Sequence, residues 1–476
     1  VTLFSSSLSV RKVFDNIQKL ATLEGAGTVD RKIGLISELL TSAKPIEAKY
    51  IVRTVLEELR VGTAAGTLRD AIVWAYFPES NVKYNQEDKS IEVEDREKYN
   101  KYADIVQKAY DMSNDFSKVA EMAKKGKILE IGLQVGVPIK VMLGPKEKDA
   151  KSALDRVGRP AQAEYKLDGF RIQVHKEGDK ILLFTRNLEN VTPQFPEVVE
   201  YVKKYVKGTS FILDCEAVGF DSKTGKYLPF QNISQRIKRK YDIDKIAKEF
   251  PVELNIFDCM SYDGKNMINE EFKKRRGLLE KIVKRVDKKI TLTKSTIVKD
   301  EEEVDRFFKK SKEDGNEGLM LKKLDAPYKP GGRVGYMVKM KEAEEPLDLV
   351  IIEADWGEGK RAQWFSSFTL ACLDENGDFV AIGKVGTGIK EKIKDSPSDE
   401  KDSSEGVTFE ELTELLKPLV ISQKGKTVKV KPKIVVEIAY EEIQKSPTYS
   451  SGFALRFPRV LRLRHMERGP EDIADL

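Results

Sequence analysis

Apolar residues recur at helical spacing through the first part of the chain. Val10, Val13, Phe14 and Ile17 follow an i, i+3, i+4, i+7 pattern behind Ser9, a residue suited to an N-cap. Ile33, Ile36, Leu39 and Leu40 repeat the pattern. Pro45 opens a third helix that carries Ile51, Val55, Leu56 and Leu59 and stops near Gly62. Residues 79–96 are polar and predict a loop. Helical spacing resumes from about Tyr99 to Lys125. These stripes are expected to be core, and the pattern predicts an all-helical region over 1–137.

Around Gly132–Gly144 the period changes. Short β-rich runs follow at Arg171–Val174, Ile181–Thr185, Phe211–Val218, Leu254–Phe257, Gly318–Lys322 and Tyr336–Lys341, with helices at 194–207, 270–286 and 300–313. That alternation predicts an α+β domain over 138–344. A second break falls at Glu342–Pro346. Beyond it lie Leu347–Ala354, Phe365–Leu373, Phe379–Val385, Thr427–Val430 and Ile434–Tyr440, with one helix opened by a Thr408/Glu411 capping box. Five or so strands plus a helix predict a small Greek-key barrel of oligonucleotide-binding type over 345–476. The Lys-, Asp-, Ser- and Glu-rich stretch 391–406 is expected to be a mobile insertion.

Composition narrows the chemistry. A length of 476 residues fits about three domains, and no apolar run approaches the ~18 residues that span a membrane. The opening residues do not form a signal peptide, and a start at Val1 leads us to expect a missing N-terminal piece. Cys215, Cys259 and Cys372 stand singly, which excludes a disulfide framework and a cysteine zinc site and fits a reducing cytoplasm. With His175 and His465 the only histidines, Ser-His-Asp, Cys-His and multi-histidine metal chemistry are nearly excluded. Lys, Asp, Glu and Arg remain for acid–base work, with oxygen-bound Mg²⁺ as the expected metal. The net charge of +5 does not announce a polyanion partner. Arg456, Arg459, Arg462, Arg464 and Arg468, spaced by apolar residues, are expected to project from one side of a strand.

The most informative stretch is Lys166-Leu167-Asp168-Gly169-Phe170-Arg171. A lysine amine attacks a nucleotide α-phosphate only when neutral, so nearby cations or burial must favour its neutral form. Arg171 supplies such a cation, and Gly169 allows close backbone approach. Taken alone, the hexapeptide reads equally as a surface turn between two strands. Downstream come Thr185-Arg186-Asn187, Leu213-Asp214-Cys215-Glu216, Asn255-Ile256-Phe257-Asp258, Glu317-Gly318-Leu319-Met320-Leu321-Lys322 and Lys339-Met340-Lys341. They offer in turn a strand-end cation, carboxylates at the end of an apolar run, an aromatic face, a carboxylate–lysine pair and two ammonium groups on one face. A lone Phe257 is more often core than a base platform.

In this order, with Arg456-Phe457-Pro458-Arg459 near the end, these motifs resemble the nucleotidyltransferase set of ATP-dependent DNA ligases. Asp355-Trp356-Gly357-Glu358-Gly359, Gln444-Lys445-Ser446-Pro447 and Gly452–Arg459 look like archaeal replicative ligases in particular, and the likeness covers essentially the whole chain. The resemblance implies a DNA-binding role for the helical region, an adenylation role for 138–344 and an OB-fold for 345–476. It implies ATP with Mg²⁺ or Mn²⁺, and Lys166 as the residue that carries AMP. Glu164 and Phe257 are expected at adenine, Arg171 and Arg186 at ribose and phosphates, and Glu216 at ribose or metal. Glu317 is expected at the metal, Arg333, Lys339 and Lys341 at the α-phosphate, and Arg456 and Arg459 at pyrophosphate. The implied partner is nicked duplex DNA; the sliding clamp stays open as a second. A monomer in the cytoplasm, at the nucleoid and away from membranes, completes the expectation.

Two positions depart from the family. Met337 stands where a tryptophan is usual, and Arg464-His465-Met466-Glu467-Arg468 replaces the usual Arg-x-Asp-Lys, so no roles are assigned there. RNA ligases and capping guanylyltransferases share the lysine motif, but the large helical region argues for duplex DNA. An NAD⁺-dependent ligase lacks support without zinc cysteines. A non-catalytic DNA-binding protein with a decayed site is the reading from another class. Intact Lys166, Glu216, Glu317 and Lys339 argue against it.

Overall fold

Two mixed β-sheets, each apolar on one face and polar on the other, carry most of the chemistry-bearing residues. The computed structural model describes residues 8–23, 27–56, 59, 62–87, 90–238, 243–342, 344–391, 406–464 and 466–475. The expected mobile insertion falls almost wholly on 392–405, outside the described residues, as does His465. Contacts group the chain into two units. The first is Val1–Gly144, Asp168–Lys294 and Leu324–Val334, and the second is Pro145–Leu167, Ser295–Lys323 and Gly335–Leu476.

In the first unit, strands run in the order Ile290–Leu292, Val252–Tyr262, Ser210–Gly219, Phe170–Glu177 and Lys180–Thr185. The pairs Arg171↔Glu216 and Gln173↔Asp214 put four polar side chains on one face. Ile172, Val174, Leu213, Cys215 and Ala217 alternate onto the other face, where helices Pro196–Tyr205 and Phe272–Ile282 cover them. An ideal Cβ on Gly169 would lie 2.4 Å from the Ala217 carbonyl oxygen, so only glycine lets the chain enter this sheet so closely.

His175 ties this sheet to the segment before it. The Gly136 N–H donates to its Nδ1 at 3.0 Å, and Nε2 faces Gln173 Oε1 at 3.1 Å. Burial pushes its pKa down to about 4. The unfolded chain takes up a proton near pH 6.5 and the native one does not, so stability falls as pH drops from about 6.5 to 4. The loss expected from His175 is up to about 3 kcal/mol. Urea unfolding across that range should show a shallower slope for His175→Gln than for wild type. Equal slopes would remove His175 as the cause.

The helical region corrects the sequence reading in three places. Val10–Thr22 is a helix with Ser9 accepting from the Lys12 N–H, as expected, but Val10, Phe14 and Ile33 are exposed. The buried residue of that helix is Asn16, which donates to Glu38 at 2.9 Å, while Lys12 pairs with Glu38 at 2.7 Å. Two packed helices hide only a narrow strip, and polar groups take part of it here. The third helix ends at Val55, short of Gly62, and Leu56 is exposed. Residues 79–96 are not a loop: Val82–Asn85 and Ser90–Val93 form a hairpin, so the region is not purely helical. Its period-2 alternation was masked by polar composition. The apolar core here sits instead on Ala65–Tyr76, Arg96–Ser113 and Phe116–Lys124, through Val73, Val106 and Val119.

In the second unit, a five-stranded sheet runs Ser295–Val298, Ala161–Lys166, Gly318–Lys323, Met337–Lys341 and Lys146–Glu147. Helices Ala150–Val157 and Glu301–Glu313 cover the face made by Ala163, Tyr165, Leu319, Leu321, Val338 and Met340. A seven-stranded sheet follows, with Leu347–Trp356 pairing Phe365–Leu373, Thr427–Val430 and Val435–Ala439, and Val435–Ala439 also pairing Arg459–Leu463. Helix Phe409–Leu416 opens on the expected Thr408/Glu411 capping box and buries Phe409, Leu412 and Leu416. The arginine stripe does not project as a free row: Arg462 pairs with Glu437 at 2.8 Å, and Arg464 reaches Asp348 and Glu437.

Candidate active site

Lys166 ends its strand, and register decides its company. The rows Lys166–Gly318–Lys341, Glu164–Met320–Lys339 and Gln162–Lys322–Met337 lie on one face of the five-stranded sheet, opposite the apolar core. Gly318 has φ +149°, and a Cβ there would meet the Met340 carbonyl oxygen at 2.2 Å. The row between the Lys166 and Lys341 side chains is therefore free of a side chain. The Glu317 N–H donates to the Lys166 carbonyl at 2.9 Å, and the Lys166 ammonium pairs with the Glu317 carboxylate. Burial, with the charges of Lys166 and Lys341 behind it, pushes Lys339 below the usual lysine range against Glu441 and Glu317. Lys339 and Lys341 share a face, as expected, on a strand that is interior rather than a solvated edge.

Deeper in this face, Glu164 is 2% exposed. Lys322 pairs with it at 2.6 Å, and the Gln162 amide donates to it at 2.8 Å. The expected Glu317–Lys322 pairing is thus replaced by two others, because Lys322 points into the row of Gln162 and Glu317 lies before the strand. Met337 is buried in the same row as Lys322 and Gln162.

In the first unit, Arg171 donates through Nε to Asp214 Oδ1 at 2.8 Å and through Nη1 to the Met142 carbonyl at 3.0 Å. The Tyr328 hydroxyl donates to Asp214 Oδ2 at 2.7 Å. Burial works against the Arg171 charge, but Asp214, Tyr328 and Glu216 outweigh it and raise its pKa. Phe257 is half-buried in a run of buried residues, with the Arg171 guanidinium 5.3 Å from its ring centroid, so it is not a core side chain. Glu216 stands opposite Arg171 in register. Asp168 accepts from the Phe230 N–H at 3.3 Å, at the start of helix Phe230–Lys238.

Arg186 is exposed in the turn after its strand, and Arg333 is exposed beside its bridge to Leu143. Arg456 pairs with Glu442 at 3.1 Å, and Arg459 opens an exposed strand end. Sequence reasoning passed over Gln162, Tyr328, Lys146 and Glu441. Only strand register, absent from a linear motif, could have marked Gln162, and tertiary contacts alone reveal the others.

A lysine with a carboxylate at its nitrogen and two further ammonium groups on the same sheet face define the equipment of an enzyme that transfers a phosphate-bearing group. Comparison with known proteins makes the class specific. Family models match as ATP dependent DNA ligase domain over 141–341, DNA ligase N terminus over 2–73 and ATP dependent DNA ligase C terminal region over 361–467. The DNA ligase of Nanoarchaeum equitans is 49% identical over 472 residues, covering 98% of this chain and 77% of that protein. The DNA ligase of Thermococcus onnurineus is 40% identical over 473 residues, with coverage of 98% and 77%. The solved structure described as Pmar-Lig_PreS3 shares the fold at a TM-score of 0.53 and 17% identity, over 97% of this chain and 87% of that one. The chain belongs to the ATP-dependent DNA ligase family. It is an enzyme that uses ATP and forms phosphodiester bonds, and the RNA-ligase, capping and non-catalytic readings are not favoured. Among the described residues, no helix is long and apolar enough to cross a membrane.

Proposed function

We propose that the chain seals nicks bearing a 3′-hydroxyl and a 5′-phosphate in duplex DNA, with Lys166 as the nucleophile that carries AMP. The observation that carries this reading is the row of Lys166 and Lys341 across Gly318, with Glu317 at the Lys166 nitrogen. In the first step Lys166 Nζ bonds to the α-phosphorus of ATP as the bond to pyrophosphate breaks, and Glu317 is placed to take the amine proton. In the second step a 5′-phosphate oxygen takes AMP and frees Lys166. In the third the 3′-hydroxyl oxygen bonds to the 5′-phosphorus and AMP leaves. Phosphoryl transfer is mostly positioning and charge neutralisation, which suits lysines and arginines.

The other roles follow the family motifs. Glu164 and Phe257 recognise adenine, Arg171 and Arg186 hold ribose and phosphates, and Arg333, Lys339 and Lys341 neutralise the α-phosphate. Arg456 and Arg459 orient pyrophosphate. Glu317 and Glu216 each carry hard oxygen donors of the kind Mg²⁺ takes, and the family motifs assign both to the metal. Among the described residues no group of three or more His, Cys, Asp or Glu is placed to hold a metal. When bound, it supplies neutralisation of phosphate charge. We read the chain as three domains at 1–137, 138–344 and 345–476, the last an OB-fold, a division compatible with family models that match 2–73, 141–341 and 361–467. We assign the chain to the cytoplasm, at the nucleoid, as a monomer that binds nicked DNA, with the sliding clamp as a candidate second partner.

Incubation with ATP labelled at its α-phosphate tests the reading. A covalent, acid-labile protein label that excess unlabelled GTP does not displace is expected. No label, or a label carried by GTP, would overturn it.

A further inference from the structure

The carboxylate of Glu441 lies among the lysines that the proposed mechanism reserves for phosphate. It pairs with Lys341 Nζ at 3.1 Å, from the turn between strands Val435–Ala439 and Glu442–Lys445. Lys339 and Lys146 also act on it electrostatically, and Lys146 stands beside Lys339 in register. Three ammonium groups around one carboxylate form an anion subsite with an occupant drawn from the chain itself. The Lys341 side chain is only 14% exposed, which limits how many anions it serves at once.

We infer that Glu441 is an internal competitor for this anion subsite, and that a nucleotide phosphate engages Lys341 only by displacing the Glu441 carboxylate. The inference rests on the proposed role of Lys341 at phosphate. Burial disfavours the charged form of Glu441, yet its hydrogen bond to Lys341 and the charges of Lys341, Lys339 and Lys146 hold its pKa below the usual carboxylate range. A purely structural role explains the contact poorly, because a partly exposed ion pair contributes little to stability. The contact also reaches the arginine run. The Glu441 N–H donates to the Arg456 carbonyl at 2.9 Å, and the adjacent Glu442 side chain pairs with Arg456. The residue that occupies the anion subsite is thus tied through its backbone to the run that carries Arg456. Glu441 is a positioning residue: it acts through Lys341 and touches no reacting atom.

The test is single-turnover self-adenylation of the full chain at varied ATP. Glu441→Gln and Glu441→Ala remove the charge and should lower the half-saturating ATP concentration about three- to five-fold, the size expected for release of a partly exposed ion pair. The limiting rate at saturating ATP should stay within about two-fold. Glu441→Asp keeps the charge and should track wild type. An unchanged or raised half-saturating concentration in both neutral variants overturns the inference, as does an Asp variant that behaves like them. The wild-type control separates this from the larger reading: an unlabelled wild type would bring down the assignment of the site itself, whereas a labelled wild type with insensitive variants would bring down Glu441 alone.

Discussion

Lys166→Ala is expected to abolish self-adenylation, by on the order of 10⁴-fold or more, as removal of a covalent nucleophile does elsewhere. Sealing of a nick that already carries AMP on its 5′-phosphate should survive in part, because only the first step needs the amine as nucleophile. Two other effects of the substitution must be separated from this one. Lys166 pairs with Glu317 and adds charge to a face shared with Lys339 and Lys341. Lys166→Arg keeps a cation at that place but offers no nucleophile, since a guanidinium stays protonated. The Arg variant should therefore be as inactive as Ala in self-adenylation and closer to wild type in sealing the pre-adenylated nick. Single-turnover assays of the two half-reactions, on variants whose melting matches wild type, provide the measurement. Label on either variant would remove Lys166 as the site of attachment.

Much of this face was legible in the sequence, for a reason that register makes plain. Strand residues two apart share a face, so Lys339 and Lys341 were bound to project together, as were Glu164 and Lys166 once their strand was granted. That strand, Ala161–Lys166, was absent from the expected set, because Gln162, Glu164 and Lys166 face a polar site and dilute its apolar signal. The same cause hid the hairpin at Val82–Val93. The helical stripes misled in the opposite direction: Phe14 and Ile33 have core spacing, but no element among the described residues of their unit covers them fully. Partners separated widely along the chain were beyond reach. Glu164 meets Lys322, Asp214 meets Tyr328, and Lys341 meets Glu441, through contacts that no linear spacing encodes.

The Asp214 cluster sets the second large expectation. Asp214 is fully buried and receives the Arg171 guanidinium and the Tyr328 hydroxyl. Arg171, mostly buried itself, also donates to the Met142 carbonyl and to the Tyr328 hydroxyl at 3.4 Å, neutral oxygens that do not balance its charge. Asp214→Ala takes away the carboxylate that is hydrogen-bonded to this cation and leaves Glu216 acting on it electrostatically; loss of one partner costs up to about 3–5 kcal/mol in buried pairs. Self-adenylation at saturating ATP should also fall, by on the order of 10²-fold, if Arg171 is aimed at ribose and phosphate by this carboxylate. Tyr328→Phe removes a hydroxyl that donates to Asp214 and accepts from the buried Met142 N–H and from Arg171, but leaves the charge pair, so its stability loss should be about 1–3 kcal/mol. Pairing Asp214→Ala with Arg171→Met completes the argument. Removing both charges should recover part of the stability lost by Asp214→Ala alone, because the penalty arises from a buried cation that has lost its hydrogen-bonded carboxylate, while adenylation should not recover. Urea unfolding and single-turnover labelling of the four variants report both quantities. Strictly additive stability losses would mean that Arg171 and Asp214 do not act as a unit, and a double variant with restored adenylation would free Arg171 from any role in holding the nucleotide.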